Sequence, residues 1–181
     1  MKINHSALTQ SRRAVLAALT ALSLLPAAAV AQSRVTLGWL ERVRLEPWGL
    51  LAKAKLDTGA NTAAINATDI ENFERAGNPW VRFTLALRHR GASAPPLRLE
   101  RPLERQVNIK ARGSARVDTR PTVKLEFCLG QERYETLFAL VNRSNFNYPI
   151  LLGRRFLAKV AIIDPAARFT TPPHCPARAG H

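Results

Sequence analysis

Beyond residue 35, hydrophobic and polar positions alternate with a period of two over most of the chain, the spacing of half-buried strands. Val81, Phe83, Leu85 and Leu87 alternate with Arg82, Thr84, Ala86 and Arg88, and Val123, Leu125, Phe127 and Leu129 alternate with Thr122, Lys124, Glu126 and Cys128. Gly130-Gln131 turns the second of these into a partner around Tyr134 to Val141, which predicts a β-hairpin. Upstream, Val35 to Leu45 opens with mixed alternation, Pro47-Trp48-Gly49 breaks it, and Leu50 to Leu56 is a further strand. Ile65 to Phe73, carrying Asp69 and Glu71, reads as a short helix or turn, and Gly91 to Pro96 as a loop. Leu97 to Ile109 continues in strand register up to a hairpin tip at Lys110-Ala111-Arg112-Gly113-Ser114. After an apolar strand ending at Leu152, a helical turn over Arg155 to Ala158 precedes a strand over Val160 to Ile163. Strands at this spacing, with hardly any helical periodicity, predict a mostly β protein built as a small closed or nearly closed barrel. The proline-rich stretch after residue 168 reads as an irregular tail.

The first 31 residues follow a different pattern. Lys2, Arg12 and Arg13 form a positive segment, Ala14 to Val30 is rich in Ala and Leu, and Ala29-Val30-Ala31 is a small-x-small cleavage site. This predicts a cleavable signal over residues 1–31 and a mature chain that is periplasmic or secreted. Ser11-Arg12-Arg13-Ala14-Val15-Leu16 resembles a twin-arginine signal, while a general secretory signal with incidental paired arginines accounts for the same residues. The apolar run is short and interrupted by Pro26, so no stable membrane anchor is expected after cleavage.

Composition narrows the class. A chain of 181 residues, 46% hydrophobic and 22% charged, fits one globular domain and shows no internal repeat. The net charge is +14; the signal carries three of those charges and no acid, which leaves the mature chain at about +11. Such a charge attracts acidic partners. The arginines are scattered rather than clustered with aromatics and no nucleic-acid motif accompanies them, so no nucleic-acid partner is expected. By the alternation above, Cys128 lies on the polar face of its strand, available to Cys175 if the tail folds back in an oxidising compartment.

The candidate chemistry lies in Lys55-Leu56-Asp57-Thr58-Gly59-Ala60-Asn61-Thr62-Ala63-Ala64-Ile65, where a strand delivers a carboxylate into a tight turn. Gly59 suits a sharp bend and Thr58 can hydrogen-bond nearby backbone. Asp, Thr and Gly are ordinary turn residues, so the tripeptide alone is weak. A second motif follows: Tyr148-Pro149-Ile150-Leu151-Leu152-Gly153-Arg154, an apolar strand ending in Gly-Arg.

Together the two motifs resemble the retropepsin-like aspartic peptidases. With Trp80-Val81-Arg82-Phe83, Arg120-Pro121-Thr122-Val123, the run from Asn142 to Leu157 and Ile163-Asp164-Pro165, the chain is similar over about residues 38–168 to a bacterial family often labelled "ATP-dependent zinc protease" and described as retropepsin-like. The resemblance implies a single-lobe, closed retropepsin-like barrel over residues 32–168, followed by the irregular tail 169–181. It implies an aspartic endopeptidase with Asp57 as the catalytic carboxylate and with Thr58, Gly59, Ala60, Gly153 and Arg154 supporting the active-site loop. A hairpin over Ile109 to Ala115, with Ile109 and Gly113, is the candidate flap over substrate; the alternative is an exposed β-turn with no role in binding. Asn61, Ala63 and Asn66 depart from the Arg, Ser and His that usually occupy those positions, which bears on substrate preference.

Peptide hydrolysis by carboxylates needs two of them close together, sharing one proton. Neither Asp118, in Val117-Asp118-Thr119-Arg120, nor Asp164 repeats the motif, so the expected partner is Asp57 of a second copy across the two-fold axis of a homodimer. The substrate would be an extended peptide or protein segment, and a basic groove would suit an acidic one. There is no His-Glu-x-x-His and no Gly-x-x-x-x-Gly-Lys-Ser/Thr, so neither zinc nor ATP, nor any other cofactor, is expected. The rival reading keeps the barrel as a non-catalytic envelope-binding module that recognises anionic polymer or peptide.

Overall fold

A computed structural model describes residues 34–87, 96–110 and 117–176. Its elements in chain order are β1 (Val35–Glu46), β2 (Leu50–Asp57), β3 (Ala63–Arg75), β4 (Asn78–Leu85), β5 (Leu97–Pro102), β6 (Arg105–Lys110), β7 (Val117–Leu129), β8 (Glu132–Val141), β9 (Ile150–Gly153), α1 (Arg154–Val160) and β10 (Ala161–Arg168). Strands β1, β2, β9, β3, β8 and β7 pair in that order, and β7 pairs back onto β1, closing a six-stranded barrel. Closure satisfies the backbone groups that an open sheet would leave at its edges. Strand β10 adds in parallel to β1, β6 pairs with β7, and β4 and β5 extend the far end of β3. The fold is therefore mostly β, a small retropepsin-like barrel with, among the described residues, one short helix.

The alternating apolar residues meet inside the barrel. Leu45, Ile65, Phe127, Phe138 and Leu152 are fully buried, and Phe156 of α1 closes the base against Phe127 with ring centroids 5.3 Å apart. Aromatic rings in such tilted or edge-to-face contact bury large apolar areas and fix the helix to the barrel.

One reading of the sequence needs correction. The stretch Ile65 to Phe73 is neither helix nor turn but the middle of β3. The first half of β3, through Asn66, pairs with β9 and β8; from Ala67 onward it pairs with β4, across a bulge between Thr68 and Glu71 where Asp69 has a φ of 51°. Pairing on both sides overrides the local preference of its acidic residues. Cys128 keeps the predicted parity and meets Cys175 as the alternation allowed: the tail folds over it, leaving it completely buried, and Cys175 bonds to it with an S–S distance of 2.05 Å. The tail is irregular through residue 176, yet it is pinned. The fully buried Glu41 accepts hydrogen bonds from the Gly38 amide, the Thr170 amide and the Thr170 hydroxyl at 2.9, 3.0 and 2.6 Å. Gly113, most of the predicted flap tip and the loop from Gly91 to Pro95 lie outside the described residues. The strands leading into that tip are described: Ile109 pairs with Asp118 in the β6–β7 ladder.

Candidate active site

Strands β2 and β3 follow one another in sequence but are not neighbours. Strand β9 runs between them, parallel to β2 and antiparallel to β3, so residues 58–62 must cross over the end of β9. Asp57, the last residue of β2, is in register with Gly153, the last residue of β9. Glycine is required there by space, since a Cβ on Gly153 would lie 2.6 Å from the carbonyl carbon of Thr62. The crossing is tied down from below: the Arg154 amide donates to the Ala60 carbonyl at 2.7 Å and the Arg155 amide to the Asn61 carbonyl at 3.2 Å. The Arg154 side chain reaches the same loop, its Nη1 donating to the Thr58 carbonyl at 3.3 Å. Asp57, Thr58, Gly59, Ala60, Gly153 and Arg154 thus form one contiguous cluster, in which Arg154 acts on backbone and Asn61 contributes its carbonyl.

The Asp57 carboxylate is held on both oxygens. Its Oδ1 accepts from the Gly59 and Ala60 amides at 3.1 and 3.3 Å, and its Oδ2 lies 3.1 Å from Lys55 Nζ. Partial burial pushes the carboxyl upward, but the Lys55 ammonium and the two amides together outweigh it and hold Asp57 below the usual aspartate range. A lone Asp57 is therefore ionised at neutral pH. Two such groups brought together could not both stay ionised, which is the condition for sharing a proton.

A groove of about 540 Å³ is lined by Ala60, Asn61 and Thr62 of the crossing and by Val107, Asn108 and Ile109 of β6. Among the described residues four arginines line it, Arg105, Arg120, Arg143 and Arg155, and no acidic residue does. Arg143 is only 8% exposed; its Nε donates to the Tyr148 carbonyl at 3.2 Å, and its guanidinium stacks over the Phe146 ring at 4.4 Å. Its backbone amide is held by Asn66 Oδ1 at 2.5 Å, while Asn66 Nδ2 donates to the Ala86 carbonyl at 2.7 Å. Burial, and then the nearby Arg120, press Arg143 toward losing its charge, and Asp57 opposes them, so the field of the carboxylate reaches into the groove. Arg120 pairs with Asp118 at 2.6 Å, whereas among the described residues no carboxylate forms an ion pair with Arg105, Arg143 or Arg155.

The donor set does not fit zinc: among the described residues no three His, Cys, Asp or Glu side chains come together. Sequence reasoning takes Lys55 only as a strand residue and does not connect the four arginines. Lys55 was within reach, because residues two apart on a strand share a face. The arginines come from β6, β7, the segment after β8 and α1, and only closure of the barrel joins them.

A closed barrel that presents one aspartate on a crossing loop, braced by a Gly-Arg strand end, defines a single-lobe protein of the retropepsin-like class. The family described as "Retropepsin-like aspartic endopeptidase RimB" matches residues 36–174, and the chain belongs to this RimB-like family. Among curated proteins it is similar to a probable alpha-L-glutamate ligase of Shewanella halifaxensis, 33% identical over 119 residues, which are 65% of this chain and 25% of that protein. A protein of the same description from Parasynechococcus marenigrum is 29% identical over 133 residues, 73% of this chain and 28% of its own length. The chain thus spans about a quarter of these relatives. A crystal structure of a protein of unknown function from Legionella pneumophila superposes with a TM-score of 0.64 at 33% identity, covering 77% of this chain and all of that one.

Proposed function

We propose that this protein is an exported aspartic endopeptidase that works as a homodimer and cleaves acidic peptide segments. In this reading Asp57 of each subunit meets its mate across the two-fold axis, and the pair holds one proton. The ionised carboxylate takes a proton from water as the water oxygen attacks the scissile carbonyl carbon, while the protonated mate donates a hydrogen bond to the carbonyl oxygen. The tetrahedral intermediate then collapses as a proton passes to the leaving amine.

The observation that carries the reading is a loop-held carboxylate beside a groove lined, among the described residues, by four arginines and no acid. A carboxylate side chain entering that groove meets guanidinium forks suited to bidentate pairing. The description of the family names an endopeptidase, and the relatives named as glutamate ligases act, by that name, on an acidic amino acid, which supports an acidic substrate. The buried Cys128–Cys175 disulfide supports an oxidising compartment and hence export. The rival reading, an envelope-binding module, draws on the same basic groove but needs no Asp57 chemistry.

Purified mature protein should cleave a glutamate-rich peptide in the acid range and a neutral or basic peptide of equal length far less. Asp57→Asn should abolish cleavage while leaving binding of the acidic peptide intact. Equal turnover by both proteins would refute the mechanism, and salt-sensitive binding with no turnover by either would favour the binding module.

A further inference from the structure

Lys55 and Asp57 stand two residues apart on β2, so their side chains leave the same face of the strand. The two oxygens of Asp57 are held differently. Oδ1 is fixed by the main-chain amides of Gly59 and Ala60, which cannot leave without unfolding the loop. Among the described residues, Oδ2 has one polar contact, Lys55 Nζ at 3.1 Å, on a long side chain that is 42% exposed. Among the described residues the site is otherwise surrounded by cations, with Asp118 held by Arg120. Arg154 approaches from α1 through the Thr58 carbonyl, Arg143 from the segment after β8, and Arg105, Arg120 and Arg155 line the adjoining groove. No second carboxylate of the same chain takes part in the cluster among the described residues. Among the described residues, the charged group in contact with Asp57, the Lys55 ammonium, therefore favours its ionised form.

We propose that Lys55 is a positioning residue that serves as a built-in counter-ion for Asp57, so that the aspartate pair acquires its one shared proton, and with it activity, only as the surroundings acidify. The inference rests on the proposed peptidase reading and deepens it. An unpaired subunit keeps Asp57 ionised and bridged to Lys55. When two subunits meet, like charges press one aspartate to take up a proton, and two ammonium groups oppose that uptake. The balance moves the working range of the pair toward acid. A mobile ammonium can do this without blocking water, because it can swing away from Oδ2 once that oxygen is protonated.

The test compares pH–rate profiles of the mature wild type, Lys55→Met and Lys55→Arg on one glutamate-rich peptide, so that titration of the peptide is common to all three. In parallel, the Asp57 carboxyl carbon is followed by NMR titration of protein labelled at aspartate. Lys55→Met should move the falling alkaline limb to higher pH and keep roughly threefold more activity there, the size expected for losing a partly exposed ion pair. Lys55→Arg should follow the wild type. Superimposable profiles and titrations for wild type and Lys55→Met would overturn the proposal, as would a displacement in Lys55→Arg equal to that in Lys55→Met, since charge would then not be the cause. If the NMR titration moves in Lys55→Met while none of the proteins cleaves peptide, the counter-ion role stands as electrostatics and the peptidase reading falls; turnover with an unmoved titration retains the peptidase and removes the role of Lys55.

Discussion

Gly153→Ala tests whether the crossing of residues 58–62 over the end of β9 holds the site together. A Cβ at this position would lie 2.6, 2.7 and 2.9 Å from the carbonyl carbon, carbonyl oxygen and amide nitrogen of Thr62, well inside van der Waals contact. All three are backbone atoms, so no side chain can rotate to make room. Relief requires lifting the loop by about 1 Å, which strains the bonds from Arg154 to Ala60 at 2.7 Å and from Arg155 to Asn61 at 3.2 Å. Overpacking costs roughly 1–3 kcal/mol, and weakening two hydrogen bonds costs about 0.5–1.5 kcal/mol each. The stiffer unfolded chain returns only about 0.4–1 kcal/mol. The net expectation is a loss of about 3 kcal/mol, read as a lower urea midpoint of the disulfide-intact mature chain at unchanged slope. Turnover should fall as well, because the lifted loop carries Asp57 out of alignment. A stability change below about 0.5 kcal/mol together with wild-type turnover would refute the account of how β9 supports the loop.

Asn66→Ala should leave the Arg143 amide and the Ala86 carbonyl without their partner and cost about 2–4 kcal/mol in denaturant titrations, with weaker binding of acidic peptide because Arg143 loses its anchor. Replacing both Cys128 and Cys175 by Ser should destabilise by up to about 4 kcal/mol, the chain-entropy value for a loop of this size; the bond spans 47 residues, and the urea midpoint of the wild type with and without reductant provides a check on the same quantity.

The pairs Val123–Phe127 and Val81–Leu85 were legible as strands because one face of each meets the core and the other faces out or is only partly covered, which is what period-two alternation records. The carboxylate loop and the Gly-Arg strand end were legible as motifs, but that they form one object depends on β9 passing between β2 and β3, a topological fact no local window contains. Strand β3 was misread because Asp69 and Glu71 interrupt its apolar positions, while its bulge breaks the period that would have marked a strand. Cys128 kept the predicted parity; what hid it was a cover supplied from 47 residues away. The arginine groove was invisible for the same reason, since its members gain meaning only once β6, β7, β8 and α1 are brought to one side of the barrel.

The central claim, that two copies of Asp57 act as one catalytic unit, is tested most directly by mixing. Wild-type and Asp57→Asn mature chains are combined at constant total concentration, allowed to exchange subunits, and assayed on a glutamate-rich peptide. If both aspartates are needed, activity follows the square of the wild-type fraction, so that an equal mixture retains about a quarter of it. A linear dependence, with about half retained at equal mixing, would show each subunit acting alone and would contradict the account.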